Sequence, residues 1–162
     1  MAHSFMHISD LPKEAVDPEF KNWIDIKGAS SGMDVEFEDF TATRNRLRTL
    51  NKLNMEAIEV TRSVDRASLY LRLWCAMRKN IPSITLAFRR ESDKELYLKY
   101  ELQDVAFVGY SYSVDDGESP EETIRLNFRT IVWKFREKKD DKWGSWMKVG
   151  FDCQHQQEMQ VK

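Results

Sequence analysis

Few side chains in this sequence are placed to do chemistry. The three histidines are His3, His7 and His155; two belong to the opening segment and one to the polar end. None has partners at the spacing a metal site needs, so no metal is expected. Asp152, Cys153 and His155 bring a carboxylate, a thiol and an imidazole close together, the ingredients of a thiol–base pair. In a polar tail such a triplet arises readily without function, and that is the preferred reading. The carboxylate pairs Asp115-Asp116 and Glu121-Glu122 fall in a turn, where solvation is expected rather than acid–base work. The six glycines are spread singly, so no phosphate-cradling loop can be built from them. No serine stands in a nucleophile elbow. No cofactor is expected, and the chain does not read as an enzyme.

The densest charge lies at Arg44, Arg46, Arg48 and Lys52. Arginine neutralises phosphates and stacks on bases, so a nucleic-acid-binding β-barrel is the alternative function to weigh. The run has only Phe40 at its edge and lacks the aromatic residues that would stack bases. A solvated or protein-facing loop fits better, and nucleic acid is not the expected partner. Leu47, Leu50 and Leu53 are spaced by three, which suits a short amphipathic helix. The Thr and Asn content of 39–54 suits an extended loop instead. A long irregular connection inside a compact domain is usually functional or disordered.

The elements that must position these groups centre on one helix, expected over about 65–79. Asp65 can accept from the free N–H groups of its first turn. Ala67, Tyr70, Leu71, Trp74 and Met77 recur at helical spacing, and Asn80 with Pro82 should end the helix. Leu69, Leu73 and Ala76 make a second apolar stripe. A surface helix usually has one apolar face, so a second needs a second partner. Either the helix is sunk in its own domain, or Leu69 and Leu73 meet a neighbouring subunit.

Around the helix the pattern is alternating. Ile24 and Ile26 share one side of a strand over 21–27, and small residues 28–32 read as a turn. Strands follow over 34–40, 83–90, 95–103, 105–114, 122–136 and 143–153. In the longest, Ile124, Leu126 and Phe128 share a face while Ile131, Trp133 and Phe135 share the other. The phase change near Arg129-Thr130 implies a bulge or a bend that covers two layers. Asp115 to Pro120 reads as an exposed acidic turn. The fold class is mainly β, a compact β-barrel of two antiparallel sheets with one flanking helix.

With 162 residues, one domain is expected, with a 1–19 arm and loop, an extended loop 39–54 and a fraying tail 154–162. A net charge of −2 exerts no global pull on nucleic acid or membrane. No apolar run approaches the ~20 residues that cross a bilayer. Met1 to Met6 lacks the basic and apolar regions of a secretory signal, and Cys75 and Cys153 read as reduced thiols.

In order and spacing the motifs resemble one family. They run Ile8-Ser9-Asp10-Leu11-Pro12-Lys13-Glu14, Phe20 to Ile26, and the helix entry Val60 to Ser68 with its Asp-x-Ala-Ser run. Lys99 to Val105, Pro120 to Ile124 leading to Ile131-Val132-Trp133, and the closing Gly150-Phe151-Asp152 complete the set. Together they are similar to Hcp, the tube protein of bacterial type VI secretion systems, from about Ile8 to Asp152. Lys13 departs from a common glycine, and the 41–53 segment is unusually basic. The resemblance implies a non-catalytic subunit whose homohexameric rings stack into a tube and hold small effector proteins. It implies a contractile sheath, a VgrG-type spike and baseplate proteins as partners, with no membrane partner. It also implies assembly in the bacterial cytoplasm and export through the apparatus without a cleavable signal. On this reading Leu69 and Leu73 close the ring. Arg44, Arg46, Arg48 and Lys52 reach a stacked ring, with Asp115, Asp116 and Glu118 as their acidic counterparts.

Overall fold

The structure is a computed structural model that describes residues 4–15, 22–37 and 50–161. Its elements in order are β1 (Ser4–Ile8), a 3-10 turn (Lys13–Ala15), β2 (Trp23–Ile26), β3 (Gly28–Ser30), β4 (Met33–Phe37), β5 (Leu50–Met55) and β6 (Ile58–Ser63). The helix α1 (Ala67–Met77) follows, then β7 (Asn80–Arg89), β8 (Leu96–Ser113) and β9 (Glu121–Phe135). The chain closes with β10 (Lys138–Lys139), β11 (Lys142–Trp143), β12 (Met147–Asp152) and β13 (Gln157–Met159).

The main sheet runs β13-β12-β9-β8-β7-β1-β2, with β6 on β9 and β3 on β6, and every pairing is antiparallel. The expected mainly β fold with one helix is present, but it is sandwich-like rather than a closed barrel. Two breaks explain this. At Lys27 the strand bends, so β2 stays with β1 while β3 joins β6; a backbone bond from Lys27 N to Thr61 O (2.7 Å) bridges the step. At Asp104 the backbone enters the left-handed region (φ 50°), which an aspartate tolerates better than most residues. Opposite it, β9 exchanges neighbours: residues 121–126 pair with β6 and 130–135 with β12. Thr130 and Ile131 are consecutive yet both buried, so the two halves of β9 present opposite phases to the core. The phase change expected near Arg129-Thr130 is therefore a change of layer. The register slip itself lies in β8, between Phe107 and Gly109.

Met6, Ile8, Ile58, Val60, Leu71, Ile81, Ile84, Leu86, Leu102, Ile124 and Leu126 form the centre of the core, each within a few percent of full burial. At about 25 cal/mol per Å² of apolar surface, each such side chain contributes roughly 1.5–3 kcal/mol before conformational entropy is charged against it. The helix lies on β8, with Trp74 stacked on Phe107 at 6.5 Å.

Several expectations change. Residues 28–30 are a strand, not a turn: Gly28, Ala29 and Ser30 pair with Thr61, Val60 and Glu59 of β6. The helix ends at Met77: Arg78 adopts a left-handed conformation (φ 55°) and its N–H, with that of Lys79, closes on the carbonyls of Cys75 and Trp74. Pro82 does not end the helix but sits inside β7, between the pairs Ile81–Val105 and Ser83–Gln103. Residues 157–159 of the expected tail pair with β12. Residues 138–143 are a minimal hairpin whose Asp140 and Asp141 both have positive φ, the requirement of a tight two-residue turn.

Candidate assembly surfaces

The helix presents two unlike faces. Ala67, Ser68, Leu71 and Trp74 are buried, while Leu69 is 67% exposed, Leu73 51% and Met77 64%. A helix sunk in its own domain is excluded by those exposures. Met77, expected on the inner face, stands four residues after Leu73 and continues the outward row instead. The stripe is therefore a three-residue apolar ridge with no partner among the described residues of this chain.

A buried polar cluster holds that ridge in place. Arg62 in β6 and Glu122 in β9 are both 1% exposed. Arg62 Nη1 donates to Glu122 Oε1 at 2.5 Å and to Ser68 Oγ at 3.2 Å; Nη2 donates to Asp65 Oδ2 at 2.6 Å, and Nε to the Asp25 carbonyl at 3.3 Å. Ser68 Oγ donates to Glu122 as well, at 2.8 Å. The Tyr110 hydroxyl donates to the other Glu122 oxygen and accepts from Arg72 Nε at 2.8 Å. Burial pushes the Tyr110 phenol up, against the pull of Arg72; the Tyr110 bond raises Arg72. Arg72 also rests over Tyr112 at 4.3 Å. Asp65 serves the helix start as expected, accepting from Ala67 N (2.9 Å), while Ser68 Oγ accepts from Asp65 N (3.0 Å) in reciprocal fashion. A charge pair this deep is stable only when nearly every donor and acceptor is used, and here they are.

Sequence reasoning took Glu121-Glu122 as a solvated pair and passed over Arg62. The structure corrects both. Glu121 pairs with Lys27 at the surface, and Glu122 is interior. A signal was present: Arg62 keeps the phase of Ile58 and Val60, and Glu122 that of Ile124 and Leu126, so both were charged residues on core faces.

The remaining predicted site residues are spread apart. Asp115, Asp116 and Glu118 are exposed in the turn after β8, where Gly117 supplies a positive φ of 80°. They form no ion pair with a described residue. Arg44, Arg46 and Arg48 lie outside the described residues. Lys52 lies in β5, opposite Glu36 of β4. These two strands form a separate two-stranded ribbon, so residues 50–54 of the expected 39–54 loop are strand while 39–49 lie outside the described residues; Met33 and Val35 are exposed on the ribbon. Asn54 Nδ2 bonds both Asp34 and Glu36 at 3.2 Å across the ribbon.

The thiol–base idea meets contrary geometry. His155 Nδ1 lies 2.9 Å from Asp152 Oδ2, and Asp152 Oδ1 accepts from the Gln154 and His155 N–H groups. The imidazole and those N–H groups hold the Asp152 carboxyl below its ordinary range. Burial, then Asp152, pushes the Cys153 thiol up, away from the thiolate a nucleophile needs. The triad of residues is a turn-closing device at the end of β12. Among the described residues no group of His, Cys, Asp and Glu could hold a metal ion, and no helix is long and apolar enough to cross a membrane.

Comparison with known proteins agrees with this architecture. No curated protein matches the sequence. The crystal structure of Hcp1 from Salmonella typhimurium is similar at 26% identity, with TM-score 0.73, over 98% of this chain and 100% of that one. A structure of a type six secretion system protein has TM-score 0.82 at 22% identity, over 98% of this chain and 100% of that one. Hcp2 from Salmonella typhimurium follows at 22% identity and TM-score 0.68, over 96% and 99%. Residues 5–135 match the family described as type VI secretion system effector, Hcp, which takes in all of the strands that carry the helix and the buried Arg62–Glu122 pair. The chain belongs to the Hcp family of type VI secretion system proteins.

Proposed function

We propose that this chain is a non-catalytic tube subunit that closes into hexameric rings through the outward ridge of α1, and that the rings stack and carry small effectors. The observation that carries the reading is the ridge itself: Leu69, Leu73 and Met77 all more than half exposed on a helix whose other face is fully packed. Three adjacent large apolar side chains in water are costly, and a second copy is the covering a ring-forming family offers. Membership of the Hcp family supports the same reading. Stacking uses charge. The basic segment with Arg44, Arg46, Arg48 and Lys52 extends toward the next ring, and Asp115, Asp116 and Glu118 are its acidic counterparts. Sheath, VgrG-type spike and baseplate proteins are the further partners, and export proceeds through the apparatus.

The test is Leu69→Asp with Leu73→Asp. Both side chains are already exposed, so the fold is retained. Sedimentation should show single chains where the unaltered protein gives rings. Rings of unchanged size from the double variant would remove the ridge from the contact.

A further inference from the structure

The two ends of the β8–β9 hairpin differ in charge. The ladder runs from the pair Leu98–Phe135 to the pair Ser113–Glu121, about 50 Å of strand at ~3.3 Å per residue. At the second end stands the acidic turn with Asp115, Asp116 and Glu118, all exposed and flanked by Val114, 66% exposed. At the first end is an open cavity of about 670 Å³. Its charged lining is Arg89, Arg90, Arg136 and Lys138 against Glu91 and Glu137. Arg136 and Lys138 have carboxylate partners of their own, Glu95 at 3.4 Å and Asp93 at 2.9 Å. Arg89 and Arg90 make no ion pair with a described residue; each lies over a ring, Phe5 at 4.6 Å and Trp143 at 5.9 Å. Arginines spread on aromatic rings keep their N–H groups available for carboxylates. The floor is apolar, since Tyr97, Phe135 and Trp143 also line the cavity.

We infer that the acidic turn of one copy seats in this basic, aromatic-floored cavity of a second copy, end to end along the stack. The inference rests on the tube reading and gives the acidic turn a second basic counterpart, built from described residues, beside the one that reading assigns it. Three carboxylates meet the Arg89 and Arg90 guanidinium groups, and Val114 meets the aromatic lining. Because the seat and the turn are different surfaces at opposite ends of one hairpin, the contact is heterologous and repeats without closing, as a stack requires. The β4–β5 ribbon fits the same polarity. It enters β6 at the Ile58–Leu126 end of the β6–β9 pairing, the end away from the acidic turn.

Two variants test this. One carries Arg89→Glu and Arg90→Glu; the other carries Asp115→Lys, Asp116→Lys and Glu118→Lys. Each alone has like charges at both ends, so electron micrographs should show rings without stacks, where the unaltered protein stacks in low salt. Mixed one to one, each variant's turn matches the other's seat, and stacks should return. The turn variant lies in a fully exposed loop, so it reads the contact even if the cavity variant folds poorly. Stacks from either variant alone, or none from two folded variants mixed, overturn the seat while leaving the rings standing. An unaltered protein that never forms rings or stacks overturns the seat and the tube reading together.

Discussion

Removing the negative charge of Glu122 should be among the most damaging single changes in this protein. In Glu122→Gln the amide still accepts from Arg62 and Ser68, but Arg62 keeps a full positive charge at 1% exposure. Its remaining counter-charge is Asp65, whose side chain is 49% exposed and therefore partly screened. Breaking a buried pair from one side costs about 3–5 kcal/mol, and the surviving Asp65 contact puts this case near 3. For a chain of this length that is roughly a 6–12 °C fall in Tm. The assay is urea and thermal unfolding at one fixed protein concentration, because association adds to apparent stability. Replacing both partners, with Arg62→Met and Glu122→Leu, leaves no orphan charge between them and should cost less than either single change. A double-mutant cycle then gives a coupling between them of order 1–3 kcal/mol. A Glu122→Gln protein within about 0.5 kcal/mol of the unaltered one would refute the argument, since surface substitutions alone vary by that much.

Reversing Arg44, Arg46 and Arg48 to Glu should leave the monomer fold and ring size unchanged while weakening ring stacking, read by sedimentation at low salt. Unchanged stacking in that variant would remove the segment from the contact. Acid should destabilise the fold in a defined window. The Asp152 carboxyl is lowered by His155, and Asp93 is lowered first by its bond to Lys138. Each therefore adds stability above the unfolded value near 3.9, and that stability is lost as pH falls through the lower folded value. Tm measured from pH 6 to 2 should fall below about pH 4, and Asp152→Asn should flatten that fall; an identical acid limb in the variant would contradict the assignment.

Much of the architecture was legible because alternation is a strong local signal. Ile24 with Ile26, and Ile124 with Leu126 and Phe128, declared the core faces of their strands, and the break in phase after Thr130 declared the change of layer. The helix was legible from spacing, and so was its doubled apolar character. Which stripe faced outward was not, because periodicity gives an angle and not the side the sheet occupies. Residues 28–30 were misread because small residues serve a turn and a short strand equally well. The helix end was misplaced because Pro82 is a strong local breaker, whereas the left-handed Arg78 that ends the helix carries no such mark. Glu122 was missed for a different reason: its phase with Ile124 and Leu126 marked it as inward, but its partner Arg62 is sixty positions away, so the local sequence did not show what neutralises it there. The acidic turn and the basic cavity share that limitation, since their opposition depends on the length and register of β8 and β9.

The central claim is that copies of this chain cover one another's exposed helix ridge and enclose an opening. Imaging the purified, unaltered protein by electron microscopy measures that directly. Six-fold annular particles with a central hole are the predicted result. Isolated single chains at every concentration imaged would contradict it.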